Sequence, residues 1–231
     1  MSLTLAETEI HVWRANLALS SNDCQQLAQL LSADERARAE RFRFPRDRDR
    51  FIVSRGTLRT LLGRYLNTSP DRVQFCYGDK GKPALTEAFA ASGLEFNLSH
   101  SEDLMVCAIA HQQAIGIDLE YLRPVADLEN LTQRFFTPRE HATIHALGGD
   151  RCIYSFFQHW TCKEAVLKAT GNGLMRLSTI EVCLEHGTVK LVQHNGPLAP
   201  VWSLQLFTPA PGYVGAVAIN APERSLIHQA C

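Results

Sequence analysis

Asp118 and Glu120 stand one residue apart in Ile115-Gly-Ile-Asp-Leu-Glu120, and further along comes Trp160-Thr-Cys-Lys-Glu-Ala-Val-Leu-Lys168. In the first segment apolar and acidic residues alternate. Ile115, Ile117 and Leu119 are therefore predicted to face a core, while Asp118 and Glu120 share the other face of a strand. Side chains two apart on a strand are separated by roughly 6.5–7 Å and can converge on one cation. The second segment is predicted to be a helix with Trp160, Glu164 and Lys168 recurring every four residues along one side. A third carboxylate and an ammonium group then share a face. Carboxylates are hard ligands suited to Mg2+, and a lysine beside them suits the phosphate that such an ion carries. Taken singly, each piece has an ordinary use. An acidic pair at a strand end is usually solvated, and Glu164 with Lys168 makes a helix-surface ion pair worth roughly 0.2–0.5 kcal/mol. The balance shifts with a third segment, Phe96-Asn-Leu-Ser-His-Ser101, predicted as a strand running into a polar turn before Leu104–Ala110. Asn97, Ser99 and His100 there present an amide, a hydroxyl and an imidazole, all suited to phosphate oxygens.

The elements that must position these groups read as an α+β protein. Strands are predicted at Ile10–Ala15, Val73–Tyr77, Leu94–Asn97 and Met105–Ala110, and the acidic strand follows. Helices are predicted at Leu128–Phe136 and Arg139–Leu147 ahead of the Trp160 helix. Closing strands follow at Thr179–Leu184, Val189–Val192, Trp202–Leu206 and Val214–Ile219. Ser32-Ala-Asp-Glu35 has the form of a capping box that opens a helix. Pro45 is expected to break that helix, and Phe51–Leu62 reads as a second, amphipathic one. From Asp34 to Arg64 the chain is dense in arginine. Asp34, Glu35, Glu40, Asp47 and Asp49 balance most of these charges on a solvated helical face.

A chain of 231 residues is long enough for one large domain or two small ones. Lys and Arg number 23 against 24 Asp and Glu, so bulk charge argues for neither nucleic acid nor a membrane as partner. The N-terminus has no charged segment leading into an apolar one, and no apolar run is long enough to span a bilayer. A cytoplasmic protein is expected. The seven cysteines form no C-x-x-C pair and sit in apolar contexts such as Val106-Cys-Ala108, which reads as reduced, mostly buried thiols.

Asn97-Leu-Ser-His100, Gly116-Ile-Asp-Leu-Glu120 and the Trp160–Lys168 segment, in this order and spacing, resemble the signature of the Sfp-type 4'-phosphopantetheinyl transferases. Lys80-Gly-Lys-Pro83 and Arg134-Phe-Phe-Thr-Pro-Arg-Glu140 add to the likeness, which runs roughly from Leu31 to Leu174. The resemblance implies two similar α/β halves related by pseudo-twofold symmetry, residues 1–112 and 113–231, with coenzyme A in the cleft between them. It implies transfer of the 4'-phosphopantetheine arm to a serine of an apo carrier protein, whether acyl, peptidyl or aryl, by a monomeric enzyme that releases adenosine 3',5'-bisphosphate. By the same likeness Asp118, Glu120 and Glu164 hold Mg2+, Glu164 or a metal-bound water is the base, and Lys168 neutralises the pyrophosphate with help from Lys163. Arg55 and His100 are expected to hold the 3'-phosphate of coenzyme A, with Arg38 as a weaker candidate. Lys80, Gly81, Lys82 and Pro83 are placed around the nucleotide, the last three lining the adenine, and Asn97 and Ser99 near the phosphates. Leu119 stands where a third strand acid would add a ligand, a departure that occurs within the family.

Other readings are weaker. A different Mg2+-dependent nucleotide or phosphate-transfer enzyme would use the same carboxylates. A non-catalytic carrier-binding relative is disfavoured because the acids and lysines are all present. His141 and His145 lie one helical turn apart, which suits zinc, but Ala142 replaces the glutamate of H-E-x-x-H and the pair is not counted as a metal site. Gly171-Asn-Gly173 reads as a helix stop.

Overall fold

Leu104–His111 and Tyr213–Ile219 are apolar almost throughout because each becomes a strand covered on both faces. The computed structural model describes residues 3–78, 81–171, 174–185, 188–194 and 202–231. The N-terminal part runs β1 (Glu9–Asn16), α1 (Ser21–Gln29), α2 (Ala33–Ala39), α3 (Pro45–Leu66), β2 (Phe75–Tyr77), β3 (Pro83–Leu85), β4 (Leu94–Ser101) and β5 (Leu104–His111). Then come β6 (Ile115–Tyr121), α4 (Leu128–Phe135), α5 (Pro138–His145), α6 (Asp150–Thr170), β7 (Ile180–Glu185), β8 (Thr188–His194), β9 (Ser203–Phe207), β10 (Tyr213–Ile219) and β11 (Ser225–Ala230). One sheet has the order β11-β1-β5-β4 and a second β6-β10-β9, while β2-β3 and β7-β8 form small hairpins.

Strand alternation sorts the core into layers. Val106, Ala108 and Ala110 of β5, with Ile10 and Val12, pack against Ile115, Ile117, Leu119, Val217 and Ile219 of the second sheet. Met105, Cys107 and Ile109 point the other way, onto Val53, Leu58, Leu61 and Leu62 of α3. Beyond the second sheet, Ala216 and Ala218 meet Cys162, Ala165, Val166 and Ala169 of α6. The result is α3, sheet, sheet, α6, an α+β architecture with the two sheets face to face. Each fully buried leucine of α3 contributes roughly 1.5–3 kcal/mol of apolar burial, so the helix is held by packing.

Several expectations are sharpened here. Pro45 opens α3 in the first turn, where its missing N–H leaves no bond unmade, and the helix continues to Asn67 in the left-handed conformation. The capping box of α2 forms, and its Glu35 also makes a buried ion pair to Arg59 at 2.7 Å. The strand of β4 continues through Ser101, because His100 and Ser101 still pair with Met105 and Leu104. Gly171 ends α6 with φ 71°. Helix α1 and strand β11 lie outside the sequence expectations. β11 pairs in parallel with β1, so the last strand of the chain completes a sheet built by its N-terminal part. Among the described residues no helix is long and apolar enough to cross a membrane.

Candidate active site

The site forms where two edge strands meet. On β4, Asn97, Ser99 and Ser101 alternate onto one face, and each reaches β6. Asn97 Oδ1 accepts the Ile117 N–H at 2.9 Å, Ser99 Oγ donates to Asp118 Oδ1 at 3.0 Å, and Ser101 Oγ accepts the Tyr121 N–H at 3.0 Å while donating to Glu120 Oε2 at 3.2 Å. Side chains thus take the place of a backbone ladder, and Asn97 satisfies the buried amide of Ile117 that would otherwise be unpaired.

Gly116 brings α6 onto this strand. A Cβ there would lie 2.0 Å from the Ala165 carbonyl oxygen and 2.5 Å from the Ala169 nitrogen, so only glycine permits the approach. Glu164 and Lys168 then stand over Asp118. Lys168 Nζ donates to Asp118 Oδ1 at 2.7 Å and to Ser99 Oγ at 2.9 Å. Trp160, Glu164 and Lys168 share a half-buried stripe, as their spacing predicts. Trp160 packs with Phe135, Phe136 and Phe156.

The cluster carries more negative charge than its cation neutralises. Asp118 Oδ2 and Glu164 Oε1 are buried without a hydrogen-bond partner. Burial, followed by the charge of Asp118, pushes the Glu164 carboxyl up to about 7, with Lys168 opposing and Glu120 adding. Glu120 is engaged from outside by Arg123 at 2.8 Å. Hard oxygen ligands with two unpartnered buried atoms suit a divalent cation such as Mg2+.

The remaining predicted residues separate into three groups. Arg55 is only 7 % exposed, makes no ion pair among the described residues, and leaves Nη1 unpartnered. Its guanidinium lies 5.6 Å from the ring centroids of Phe51 and Tyr77, beside the β2-β3 hairpin, and burial lowers its pKa. An unpaired buried cation is costly, and an anion there would offset the cost. His100 follows Phe96 and Leu98 onto the α3 side of β4. It is open to solvent on one side, yet partial desolvation and then the cations of Lys168 and Arg50 hold its pKa below the usual value. Ser54, next to Arg55, donates to Met105 Sδ at 3.1 Å, and Met105 is the register partner of His100. The two residues therefore belong to neighbouring segments.

A second group turns away from open space. Lys82 donates to the Lys168 carbonyl at 2.7 Å and the Ile115 carbonyl at 3.3 Å, which ties the Gly81–Pro83 turn to the C-terminal end of α6, where carbonyl dipoles favour a cation. Asn97 is spent on β6. Lys163 is corrected most clearly. Its ammonium is fully buried and bonded to Glu140 Oε2 at 2.6 Å, over the Phe136 ring, because one step along the helix from Glu164 rotates the side chain onto another face. It does not join the carboxylate cluster. The third group is Lys80, which lies outside the described residues. Ser101 and Arg123 were missed, although the Asn97, Ser99, Ser101 alternation carried the signal for the first.

A family model described as the 4'-phosphopantetheinyl transferase superfamily matches residues 114–218, and one described as 4'-phosphopantetheinyl transferase, N-terminal, matches residues 16–112. The chain is similar to the 4'-phosphopantetheinyl transferase HetI of Nostoc sp., 48% identical over 218 residues that cover 94% of this chain and 90% of that protein. It is 31% identical to the 4'-phosphopantetheinyl transferase psf-1 of Bacillus pumilus over 202 residues, 86% of this chain and 82% of that one. Among solved structures, a holo-(acyl-carrier-protein) synthase from Bacillus anthracis aligns over 46% of this chain and 93% of its own, with 23% identity and a TM-score of 0.40.

Proposed function

The chain belongs to the 4'-phosphopantetheinyl transferase superfamily, and from that premise we propose that it moves the phosphopantetheine arm of coenzyme A onto a serine hydroxyl of an apo carrier protein. The serine oxygen bonds to the phosphorus that carries the pantetheine arm. The bond from that phosphorus to the bridging oxygen breaks, adenosine 3',5'-bisphosphate leaves with the electron pair, and the serine proton passes to a base. The carrier is an acyl, peptidyl or aryl carrier domain, and the enzyme works as a cytoplasmic monomer. Coenzyme A lies between residues 1–112 and 113–231.

The supporting observation is the anionic surplus around Glu164, whose carboxyl is pushed up to about 7 with its own Oε1 and Asp118 Oδ2 unpartnered. Asp118, Glu120 and Glu164 would hold Mg2+, which when bound offsets the charge of two linked phosphates. Glu164, directly or through a water that it orients, takes the serine proton. Lys168, held in place by Asp118 and Ser99, faces the pyrophosphate, while the expected donation from Ser99 to a phosphate oxygen is set aside because its one proton goes to Asp118 Oδ1. Arg55 and His100 take the 3'-phosphate. Gly81 and Pro83 line the adenine, with Lys82 anchoring their turn to α6. Incubation with coenzyme A, Mg2+ and a panel of apo carriers, read by intact mass, is expected to show one phosphopantetheine added per carrier. Nucleotide cleavage without any carrier modification would instead identify a different phosphate-transfer enzyme.

A further inference from the structure

Along β4 and β6 one arrangement occurs twice. Ser99 and Ser101 lie two residues apart on β4, as Asp118 and Glu120 do on β6, and strand alternation sets Ser99 against Asp118 and Ser101 against Glu120. At Asp118 a single oxygen, Oδ1, accepts from Ser99 Oγ at 3.0 Å and from Lys168 Nζ at 2.7 Å. At Glu120 a single oxygen, Oε2, accepts from Ser101 Oγ at 3.2 Å and from Arg123 Nη1 at 2.8 Å. Each carboxylate is held through one oxygen by a hydroxyl and a cation. The other oxygen is left over: Asp118 Oδ2 is buried without a partner, and Glu120 Oε1 takes no hydrogen bond among the described residues.

Hydrogen-bond directions make both holds definite. A serine hydroxyl has one proton to give, and the second neighbour of each is a donor. Ser99 Oγ accepts from Lys168 Nζ at 2.9 Å and Ser101 Oγ from the Tyr121 N–H at 3.0 Å, so both protons point at the carboxylates.

Arg123 is anchored on three sides. Besides Glu120 it bonds the Tyr121 carbonyl at 2.9 Å, and its guanidinium lies 5.3 Å from the ring centroid of buried Phe157 on α6. Phe157 precedes Glu164 by seven residues, close to two turns, so the arginine reaches from the end of β6 to the side of α6 that carries the third carboxylate. A half-exposed arginine three residues from a glutamate is, by itself, an ordinary ion pair. This one shares its acceptor oxygen with a serine and repeats the arrangement at Asp118. Solvent screens its charge, so its main effect on Glu120 is local, a charge-assisted bond that fixes the rotamer.

We infer that Ser101 and Arg123 are positioning residues that present Glu120 Oε1 to the divalent cation, as Ser99 and Lys168 present Asp118 Oδ2. The inference rests on the reading of Asp118, Glu120 and Glu164 as the Mg2+ set. Mg2+ tolerates little departure from octahedral geometry, and outer hydrogen bonds to its carboxylates supply the fixed orientation.

The full chain, stripped with a chelator and desalted, is titrated with Mn2+, an oxygen-preferring octahedral probe read by electron paramagnetic resonance, and with Mg2+ in competition. Arg123→Ala and Ser101→Ala are each expected to weaken Mn2+ by about tenfold. Ser101→Thr keeps the hydroxyl and should stay near native, and Arg123→Lys, which keeps the charge but not the contact with Phe157, should fall between. An arginine that merely competes with the ion for Glu120 would give the opposite sign, and tighter Mn2+ in Arg123→Ala overturns the inference. A purely structural role would lower the unfolding temperature of the ion-free variants and leave the Mn2+ affinity of the folded chains native, which also overturns it. Loss confined to one of the two variants overturns the pair. Glu120→Gln separates this inference from the reading beneath it. Weaker Mn2+ in Glu120→Gln with native affinity in Arg123→Ala and Ser101→Ala overturns the positioning roles alone, whereas native affinity in Glu120→Gln removes Glu120 from the metal set and both fall. Because Arg123 is half-exposed, Arg123→Ala keeps the test decisive if Ser101→Ala folds poorly.

Discussion

Lys163 and Glu164 are neighbours on α6, yet their surroundings are opposites. Lys163 faces Glu140, and both oxygens of that carboxylate are occupied: Oε2 by Lys163 and the Thr137 N–H, Oε1 by the Val182 N–H. Burial pulls the Lys163 ammonium down and Glu140 opposes it. Glu164, around the helix, has a buried oxygen with no partner and faces two further carboxylates with one lysine between them. A satisfied ion pair specifies how α5 seats on α6 and has no capacity left for a ligand. An unsatisfied one holds free energy that a ligand can release. Burial alone therefore does not mark the active face; the balance of partners does.

The sharpest way to break this comparison is to remove one partner from each side. Lys163→Ala leaves Glu140 buried and unpaired and should cost about 3–5 kcal/mol of stability, measured by denaturant unfolding. Turnover per folded molecule should remain close to native. If Lys163→Ala instead lost turnover with its stability intact, Lys163 would belong to the site after all.

On the other side, Asp118→Ala, Glu120→Ala and Glu164→Gln should each lower turnover by roughly a hundred- to a thousandfold, as expected when a group that stabilises transition-state charge is removed. Asp118→Ala and Glu120→Ala should stay folded, and Glu164→Gln should gain stability in metal-free buffer, because Glu164 Oε1 and Asp118 Oδ2 lack partners in the native cluster. Mg2+ affinity, read by calorimetry, should fall with activity. Near-native rates in any one folded variant would remove that residue from the proposed metal set.

Arg55 extends the comparison to a third buried charge, unpaired like Glu164 but cationic. Replacing it with alanine should weaken coenzyme A by about ten- to a hundredfold relative to dephospho-coenzyme A, since hydrogen bonds to charged groups contribute on the order of 1.5–3 kcal/mol. Competition binding with the two cofactors reads this directly. Equal losses for both would assign Arg55 to holding Phe51 and Tyr77 in place.

The local part of this organisation was legible in the sequence and the crossing contacts were not. Alternation in β6, the four-residue stripe on α6 and the Ser32 capping box follow from spacing, and each forms as read. Helix α1 buries none of its residues fully, so no apolar stripe announced it. Strand β11 is mostly exposed and gains its ladder from β1 at the other end of the chain. The Lys163 misplacement was avoidable: if Trp160, Glu164 and Lys168 share a face, residue 163 is turned about 100° from it. What no spacing rule supplies is which carboxylate waits on that other face. Glu140 reaches Lys163, and Glu129 reaches His141 and His145, through helix packing alone.

The finest test asks whether Glu164 itself carries the electrostatic cost of the cluster. Its carboxyl is raised to about 7 in the fold against 4.5 as a free side chain. Between those values the folded chain binds more protons than the unfolded one, so stability falls as pH rises from about 4.5 to about 7 and then levels off. The whole shift would correspond to roughly 3 kcal/mol, and solvent screening at a partly exposed group reduces it to about 1 kcal/mol. Glu164→Gln keeps the shape and cannot ionise. In metal-free buffer at pH 8 this variant should therefore be more stable than the native chain by about that amount, with the difference vanishing near pH 4.5. Saturating Mg2+ should reverse the order, because the native carboxylate then gains a ligand that glutamine holds poorly. Unfolding curves at both pH values, with and without Mg2+, separate these outcomes. An unchanged pH dependence in Glu164→Gln would move the cost to Asp118 or Glu120 and leave Glu164 an ordinary partner of Lys168.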